Sequence, residues 1–375
     1  MNSREALDRP RVSPRFSSAL KTVGRAIHET RVLVEDRLKL QAPSRFDLRH
    51  RQDAHVFLRG KNPAIAFCYG FFHKAQCGLW FALPSVYRMI CMNRILVIGA
   101  TGKVGHQVVS QLVSAGAQVR AMTRNPDAAD LPPQVEIMRG DLTVPETLDA
   151  CLEGIETVFL VWVAPPATAA AVLERIARYA LRIVFLSAPI KTAHPFFQQP
   201  NPVREMTAQI EYLIETSGLR WSFLRPGIFA SNALRWWAPQ IRRGDHVRWP
   251  YLSAPTAPIH EDDIARVAVR ALCEDGHAGR EYVLTGPQSL SQFDQVSTIG
   301  RVIGRSLRIE EISPDEARRE WLPMVPAFVV NMLLDSWAAA IGQPALVTST
   351  VGEITGEPAR TFQEWATDHI AEFQS

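Results

Sequence analysis

From Met92 onward, apolar positions follow two alternating periods. Arg94–Gly99 (RILVIG) is a short β-branched run with the length of a buried parallel strand. Val104, Val108, Leu112 and Val113 then recur at helical spacing, and Gly116 ends that helix. Gln118–Thr123 reads as a second strand, closed by a loop at Asn125-Pro126, and Val135–Met138 as a third. A helix over Pro145–Leu152, a strand over Thr157–Val163, a helix over Ala167–Ala180 and a strand over Arg182–Leu186 continue the alternation. Val203, Met206, Ile210, Leu213 and Ile214 line one face of a further helix, and Trp221–Leu224 makes a sixth strand. Strands separated by helices of this length predict right-handed crossovers and a doubly wound parallel sheet. After about residue 233 the pattern loosens into aromatic and proline-rich loops with helices, which predicts a smaller C-terminal α/β cap over residues 233–258 and 291–375.

Composition narrows the class. The 375 residues are 47% hydrophobic and 21% charged, enough for a large core, which excludes a disordered chain or a coiled coil. The five cysteines, Cys68, Cys77, Cys91, Cys151 and Cys273, contain no CxxC pair, and no metal-ligand spacing is present. The longest apolar stretch, Phe67 to Ile90, is broken by His73, Lys74, Gln76, Pro84 and Arg88, so no spanning helix is expected. The N-terminus lacks a secretory pattern, and a cytoplasmic location is the expectation. The net charge of +3 conceals a basic arm: residues 1–91 carry 16 Lys and Arg against 7 Asp and Glu. Those charges are scattered and no nucleic-acid motif accompanies them, so neither nucleic acid nor membrane is expected as a partner. The arm reads as an extension outside the fold, and a chain starting at Met92 is expected to fold without it.

The first strand runs into Gly99-Ala100-Thr101-Gly102-Lys103-Val104-Gly105. A glycine triplet between a strand and a helix is the context of a dinucleotide site. Gly99 permits the tight turn, Gly102 lets backbone approach a pyrophosphate, and Gly105 lets helix and strand pack closely. The phosphates then meet the free N–H groups of the helix N-terminus. At the end of the second strand, where NAD-preferring sites place a carboxylate, stands Thr123-Arg124. Its guanidinium can fork onto a 2′-phosphate, with Lys103 adding charge, or be an ordinary surface arginine. The first reading favours NADP(H), with NAD(H) second.

Taken together, GATGKVG, Gly140-Asp141-Leu142, Arg225-Pro226-Gly227-Ile228-Phe229-Ala230-Ser231-Asn232, Ile259-His260-Glu261-Asp262-Asp263-Ile264-Ala265, Tyr282–Pro287 and the C-terminal Thr355-Gly356…Arg360-Thr361-Phe362 resemble the NmrA-like branch of the atypical short-chain dehydrogenase/reductases. The resemblance covers residues 92–375 and implies a Rossmann-type core, about 92–232 plus 259–290. It implies that Gly99 to Gly105 hold the pyrophosphate and that Thr123 and Arg124 meet the adenosine ribose or its phosphate. Asp141 and Leu142 would border the adenine, and Val161, Trp162 and Val163 would flank the ribose. Ser187 and Pro189 would reach toward the nicotinamide, Pro226, Gly227 and Phe229 would close over it, and His260 and Asp262 would fix a loop through hydrogen bonds. The branch includes reductases of quinones, azo dyes and conjugated compounds, and also non-catalytic redox sensors that bind protein partners.

One departure bears on chemistry. No tyrosine is followed four residues later by lysine, and where that lysine is expected the chain reads Arg204-Glu205-Met206-Thr207-Ala208-Gln209. Chemistry at an alkoxide, which needs a strong proton relay, is disfavoured. Hydride transfer to a quinone, azo or conjugated acceptor gives a less basic anion, which positioning and electrostatics can serve. His194 is the histidine whose place in the topology suits proton donation, or it is a solvated loop residue. Phe229, Asn232, Trp236 and Trp237 are candidate substrate contacts. With Trp249 and Tyr251 the tryptophans can stack on a flat ring or form the core of a cap. The expectation is an NAD(P)H-dependent reductase of planar small molecules, with a non-catalytic dinucleotide sensor as its rival.

Overall fold

The computed structural model describes residues 94–374, so the expectations for residues 1–91 lie outside the described residues. The first half alternates as β1 (Arg94–Ile98), α1 (Lys103–Ser114), β2 (Gln118–Thr123), β3 (Glu136–Arg139), α2 (Leu148–Leu152), β4 (Thr157–Val161), α3 (Ala169–Tyr179) and β5 (Arg182–Leu186). After it come α4 (Pro195–Gln198), α5 (Pro202–Glu215), β6 (Arg220–Pro226), α6 (Asn232–Trp236), α7 (Ala238–Arg243), β7 (His246–Trp249), β8 (Pro255–Thr256), α8 (Glu261–Cys273) and β9 (Arg280–Leu284). The chain ends through β10 (Leu290–Ser291), α9 (Gln292–Val302), β11 (Arg308–Glu311), α10 (Pro314–Trp321), α11 (Ala327–Ala340), α12 (Thr350–Thr355), α13 (Phe362–Asp368) and α14 (Ile370–Gln374).

Seven parallel strands stand in the order β3-β2-β1-β4-β5-β6-β9. Because β1 pairs with both β2 and β4, the winding reverses between β1 and β4, where α/β sheets open a crevice for ligands. Both faces of the sheet are covered, so β1 is apolar at every inner position. Ile95 and Val97 face the layer of α1 and α8, and Leu96 and Ile98 face that of α2, α3 and α5. The bounds of β2 and β5 coincide with the sequence expectation, whereas β6 is longer at both ends and β4 stops at Val161. Val203, expected on the inner face of α5, is 44% exposed.

The cap has its own core, in which Trp237, Trp249 and Trp337 are buried together. Two small sheets frame it: β7 pairs parallel with β11, and β8 antiparallel with β10. The cap is smaller than expected at one place. Val351 of α12 is buried in the same cluster as α1 and α8, so this late helix belongs to the dinucleotide half.

Candidate functional site: a glycine crevice and an aromatic pocket

The β1–α1 turn is built by three glycines. Gly99 has φ +87°, a left-handed conformation, and a Cβ there would lie 2.8 Å from the Cβ of Val161. A Cβ at Gly105 would lie 2.0 Å from the Gly99 carbonyl oxygen, so no side chain fits where helix and strand cross. Gly102 is the N-cap of α1, and no side chain caps this helix. Its first-turn N–H groups therefore remain available to an anion. Thr101, Gly102 and Lys103 are exposed at this edge, while the Ala100 and Val104 side chains are buried in the core. These residues fit a dinucleotide pyrophosphate bound through backbone.

Around the crevice, sequence expectations fare unevenly. Thr123 is half-buried and Arg124 exposed at the tip of β2. Asp141 accepts hydrogen bonds from the Thr143 N–H at 2.9 Å and hydroxyl at 2.8 Å. These bonds, with the Arg124 charge, hold its carboxyl below the usual range. Leu142 packs into the core, so only its backbone can border a ligand. Trp162 is buried too, in the core on the α2 and α3 side of the sheet, its indole N–H donating to the Ala164 carbonyl at 2.6 Å. Val163 is 74% exposed, and Val161 backs Gly99.

A second feature opens at the C-terminal ends of β5 and β6. Ser187, Ala188, Pro189, Pro226, Gly227 and Phe229 border a cavity of about 320 Å³. Phe196, Phe197 and Ile228 wall one side, and Met332, Leu333 and Ser336 of α11 close it from the cap. Asn201, Arg204 and Asn232 supply polar edges. Behind it lies a buried charge cluster. Arg225 forks onto Glu211 through Nε at 2.9 Å and a terminal nitrogen at 2.5 Å, and also pairs with Glu281. The Ser187 hydroxyl donates to Glu211. Burial opposes the charged form of Glu281, but Lys191 and Arg225 outweigh it and keep the carboxyl below its ordinary value.

Two expected contacts move away from the cavity. Trp237 is fully buried, and Trp236 packs between Trp237, Trp249 and Trp337 with ring centroids 5.5–5.9 Å apart. Both tryptophans are the core of the cap. His194 is the N-cap of α4, its Nδ1 accepting from the Phe196 N–H at 3.2 Å while Nε2 donates to the Pro344 carbonyl at 3.0 Å. Both nitrogens are engaged, which leaves no free N–H for a substrate. His260 caps α8, as expected of a residue that fixes a loop.

The comparisons with known proteins agree with this geometry. A family model described as NAD(P)H-binding matches residues 99–275. The chain is 36% identical over 286 residues to a (4-alkanoyl-5-oxo-2,5-dihydrofuran-3-yl)methyl phosphate reductase of Streptomyces griseus subsp. griseus, covering 74% of this chain and 99% of that protein. It is 32% identical over 286 residues to an NAD(P)H azoreductase of Xenophilus azovorans, again covering 74% and 99%. An NADPH-dependent quinone oxidoreductase of Escherichia coli shares the fold, with a TM-score of 0.62 and 22% identity over 73% of this chain and 98% of that one. The chain belongs to the NAD(P)H-binding family that the first two of these reductases represent, and it has the fold of the NmrA-like branch of the atypical short-chain dehydrogenase/reductases.

Several site residues of this NmrA-like protein escaped the sequence reading. Phe196 and Phe197 carried a local signal, an aromatic pair in the loop after β5. Met332, Leu333 and Ser336 carried none, because α11 reaches the cavity from more than a hundred residues away. Glu211 was readable only as a charge on the helical face that also bears Ile210 and Ile214. Among the described residues no cluster of His, Cys, Asp or Glu could hold a metal ion, and no helix is long and apolar enough to cross a membrane.

Proposed function

We propose that this protein uses NADPH to reduce a flat, conjugated small molecule held in the cavity at the ends of β5 and β6. The observation that carries the reading is the position of that cavity. Phenylalanine walls stand against Ser187, Pro189, Pro226 and Gly227, at the C-terminal ends of β5 and β6, the edge of a parallel sheet that receives ligands and where the nicotinamide is expected. Bound NAD(P)H supplies the hydride. The chain holds an acceptor flat between Phe196, Phe197 and Phe229, with Met332 and Leu333 on its cap side, and the open side of the cavity keeps it in contact with solvent. Hydride and one proton together give the two-electron-reduced product. With no Tyr-x-x-x-Lys pair and His194 fully engaged, that proton comes from solvent, which suffices for the weakly basic anion of a quinone, an azo group or an enone. The relatives fit this chemistry: one is named for an oxo-dihydrofuranyl substrate, the other for azo compounds.

NADPH preference rests on Arg124, exposed at the tip of β2 where a carboxylate would read ribose hydroxyls, and on Lys103 in the glycine loop. The test is NADPH consumption by the purified full chain against a panel of quinones, azo dyes and enones. Turnover of at least one class is expected. Tight NADPH binding with no turnover of any acceptor would overturn the reductase reading in favour of a sensor.

A further inference from the structure

Arg204 lies in the first turn of α5 and lines the acceptor cavity. The N-cap residue Asn201 accepts from the Val203 and Arg204 N–H groups, at 2.9 and 3.3 Å, which fixes the start of the helix. The guanidinium itself is weakly held. One terminal nitrogen donates to the Gln199 carbonyl at 3.2 Å and the other to the Ile190 carbonyl at 3.3 Å, both neutral acceptors at long distance. Its Nε is buried and makes no hydrogen bond. No carboxylate oxygen of the described residues pairs with it.

Other shielded arginines of the chain are treated differently. Arg120 forks onto Glu136, Arg225 is held by Glu211 and Glu281, and Arg182 meets Asp275. A guanidinium partly withdrawn from water beside aromatic walls, with an orphaned N–H and no counter-ion, lacks the partner that such groups normally have. Within the same cavity, the Asn232 amide and the Ser336 hydroxyl make no hydrogen bond to any described side chain or backbone group. A permanent cation with a planar donor fork and two neutral polar neighbours is the composition of an oxyanion site. The cavity of about 320 Å³ is at the small end for ligand sites, so it suits one or two fused rings with a short substituent.

We infer that Arg204 makes this pocket select acceptors that carry an anionic group, a sulfonate, carboxylate or phosphate, on the conjugated ring. The inference rests on the reductase reading of the cavity and adds the charge of its substrate. Arg204 in this role binds and orients, and it transfers no proton.

The experiment compares 1,4-naphthoquinone with 1,4-naphthoquinone-2-sulfonate as acceptors for wild type, Arg204→Gln and Arg204→Lys. Arg204→Gln should raise KM for the sulfonate by about 10- to 100-fold more than it raises KM for the neutral quinone, which touches the same cavity wall but has no charge to lose, the scale of a charge-assisted hydrogen bond. Arg204→Lys should restore part of the loss, because it keeps the charge without the fork. NADPH affinity, read by fluorescence titration, should be the same in all three proteins. Equal losses for both quinones, or no loss for either, would overturn the inference while leaving the reductase intact. So would a parallel fall in NADPH affinity, which would place Arg204 on the cofactor. If neither quinone is reduced, calorimetry of the NADP-loaded protein with naphthalene-2-sulfonate and with 2-naphthol decides the matter independently. Binding of the sulfonate that Arg204→Gln abolishes supports the anion site even though the reductase reading has failed, and absence of binding rejects it.

Discussion

Helices α1 and α8 pack side by side on one face of the sheet, and they treat their N-termini in opposite ways. Helix α1 opens at Gly102 with no capping side chain and no acid in its first turn, and its first residue is Lys103. Helix α8 opens at His260, whose ring accepts from the Asp262 N–H, and places Glu261, Asp262 and Asp263 in its first turn. The partial positive charge of a helix N-terminus is thus left open in one helix and neutralised from within in the other. Water completes the exposed N–H groups of α1 until an anion replaces it, whereas those of α8 are already occupied, so α1 is open to a ligand and α8 is closed to one. The two are bolted together where the Gln111 amide donates to the Asp262 carboxylate at 2.7 Å.

The sharpest way to break this contrast is to make α1 resemble α8. Gly102 has φ −81° and ψ 166°, an extended conformation open to any residue, and an added Cβ would meet only the Gly99 oxygen at 3.3 Å. Gly102→Asp should therefore fold and gain up to about 1 kcal/mol from capping and the dipole. The same carboxylate would repel a pyrophosphate and occupy its N–H groups. Affinity for NADPH and NADH should fall together by about 100-fold or more, measured by calorimetry beside thermal melts. Unchanged affinity would remove the pyrophosphate from α1.

The converse change at α8 should damage stability alone. Asp263 is fully buried, accepting from the Arg360 N–H at 2.7 Å and pairing with Arg266. Asp263→Ala leaves both donors without that partner. The expected cost is about 2–3 kcal/mol, somewhat below the loss of a fully buried pair, because Arg266 keeps Glu357. Cofactor affinity of the folded protein should not move. A denaturant titration and a parallel NADPH titration separate the two effects.

That contrast was half legible beforehand. Gly99 and Gly105 declared themselves because a turn and a crossing each demand a missing side chain, whereas the fold itself makes no such demand at Gly102. The bounds of β2 and β5 followed from runs closed by turn residues. Strand β9 went unread because Arg280–Leu284 sits at the sheet edge with two exposed polar residues leading it. Leu142 and Trp162 were placed near a ligand by motif position, yet their side chains turn into the core, Leu142 from the turn that the Val144 N–H and Asp141 carbonyl close and Trp162 from just past the end of β4. The tryptophans of the cap could not be resolved from spacing, because burial there depends on α11, far along the chain. Arg204 was visible only as the wrong residue for a lysine. Its meaning comes from carbonyls and cavity walls that only folding brings around it.

A smaller effect sharpens the ligand side of the comparison. The 2′-phosphate adds charge that a forked arginine holds well. Arg124→Ala should weaken NADPH by about one to two decades while barely changing NADH, because the contacts at α1 are shared by both cofactors. Calorimetry with the two cofactors checks this. Equal losses would mean that Arg124 supports its loop and reads no phosphate.

The smallest expected effect concerns how Glu261 of α8 is kept ionised. Glu261 faces His369 at 3.3 Å, and the Nδ1 of His369 donates to the Trp365 carbonyl at 2.8 Å. Burial opposes the charged form of each, but their mutual hydrogen bond and charges win, lowering Glu261 and raising His369. A histidine raised in the folded state contributes stability below its unfolded value, and loses it as pH rises through the folded one. A lowered glutamate contributes stability above its unfolded value, and loses it as pH falls through the folded one. The pair therefore contributes most between the ordinary glutamate and histidine ranges, roughly pH 5 to 6.5. His260, which burial holds below the ordinary histidine value, tilts the curve the other way but is common to both proteins being compared. The melting-temperature gap between wild type and His369→Gln should be widest near pH 6 and narrow toward about pH 9. Cofactor affinity should be unaffected throughout. A gap independent of pH would show that His369 acts by packing against Trp365, with ring centroids 4.6 Å apart, and lends α8 no charge.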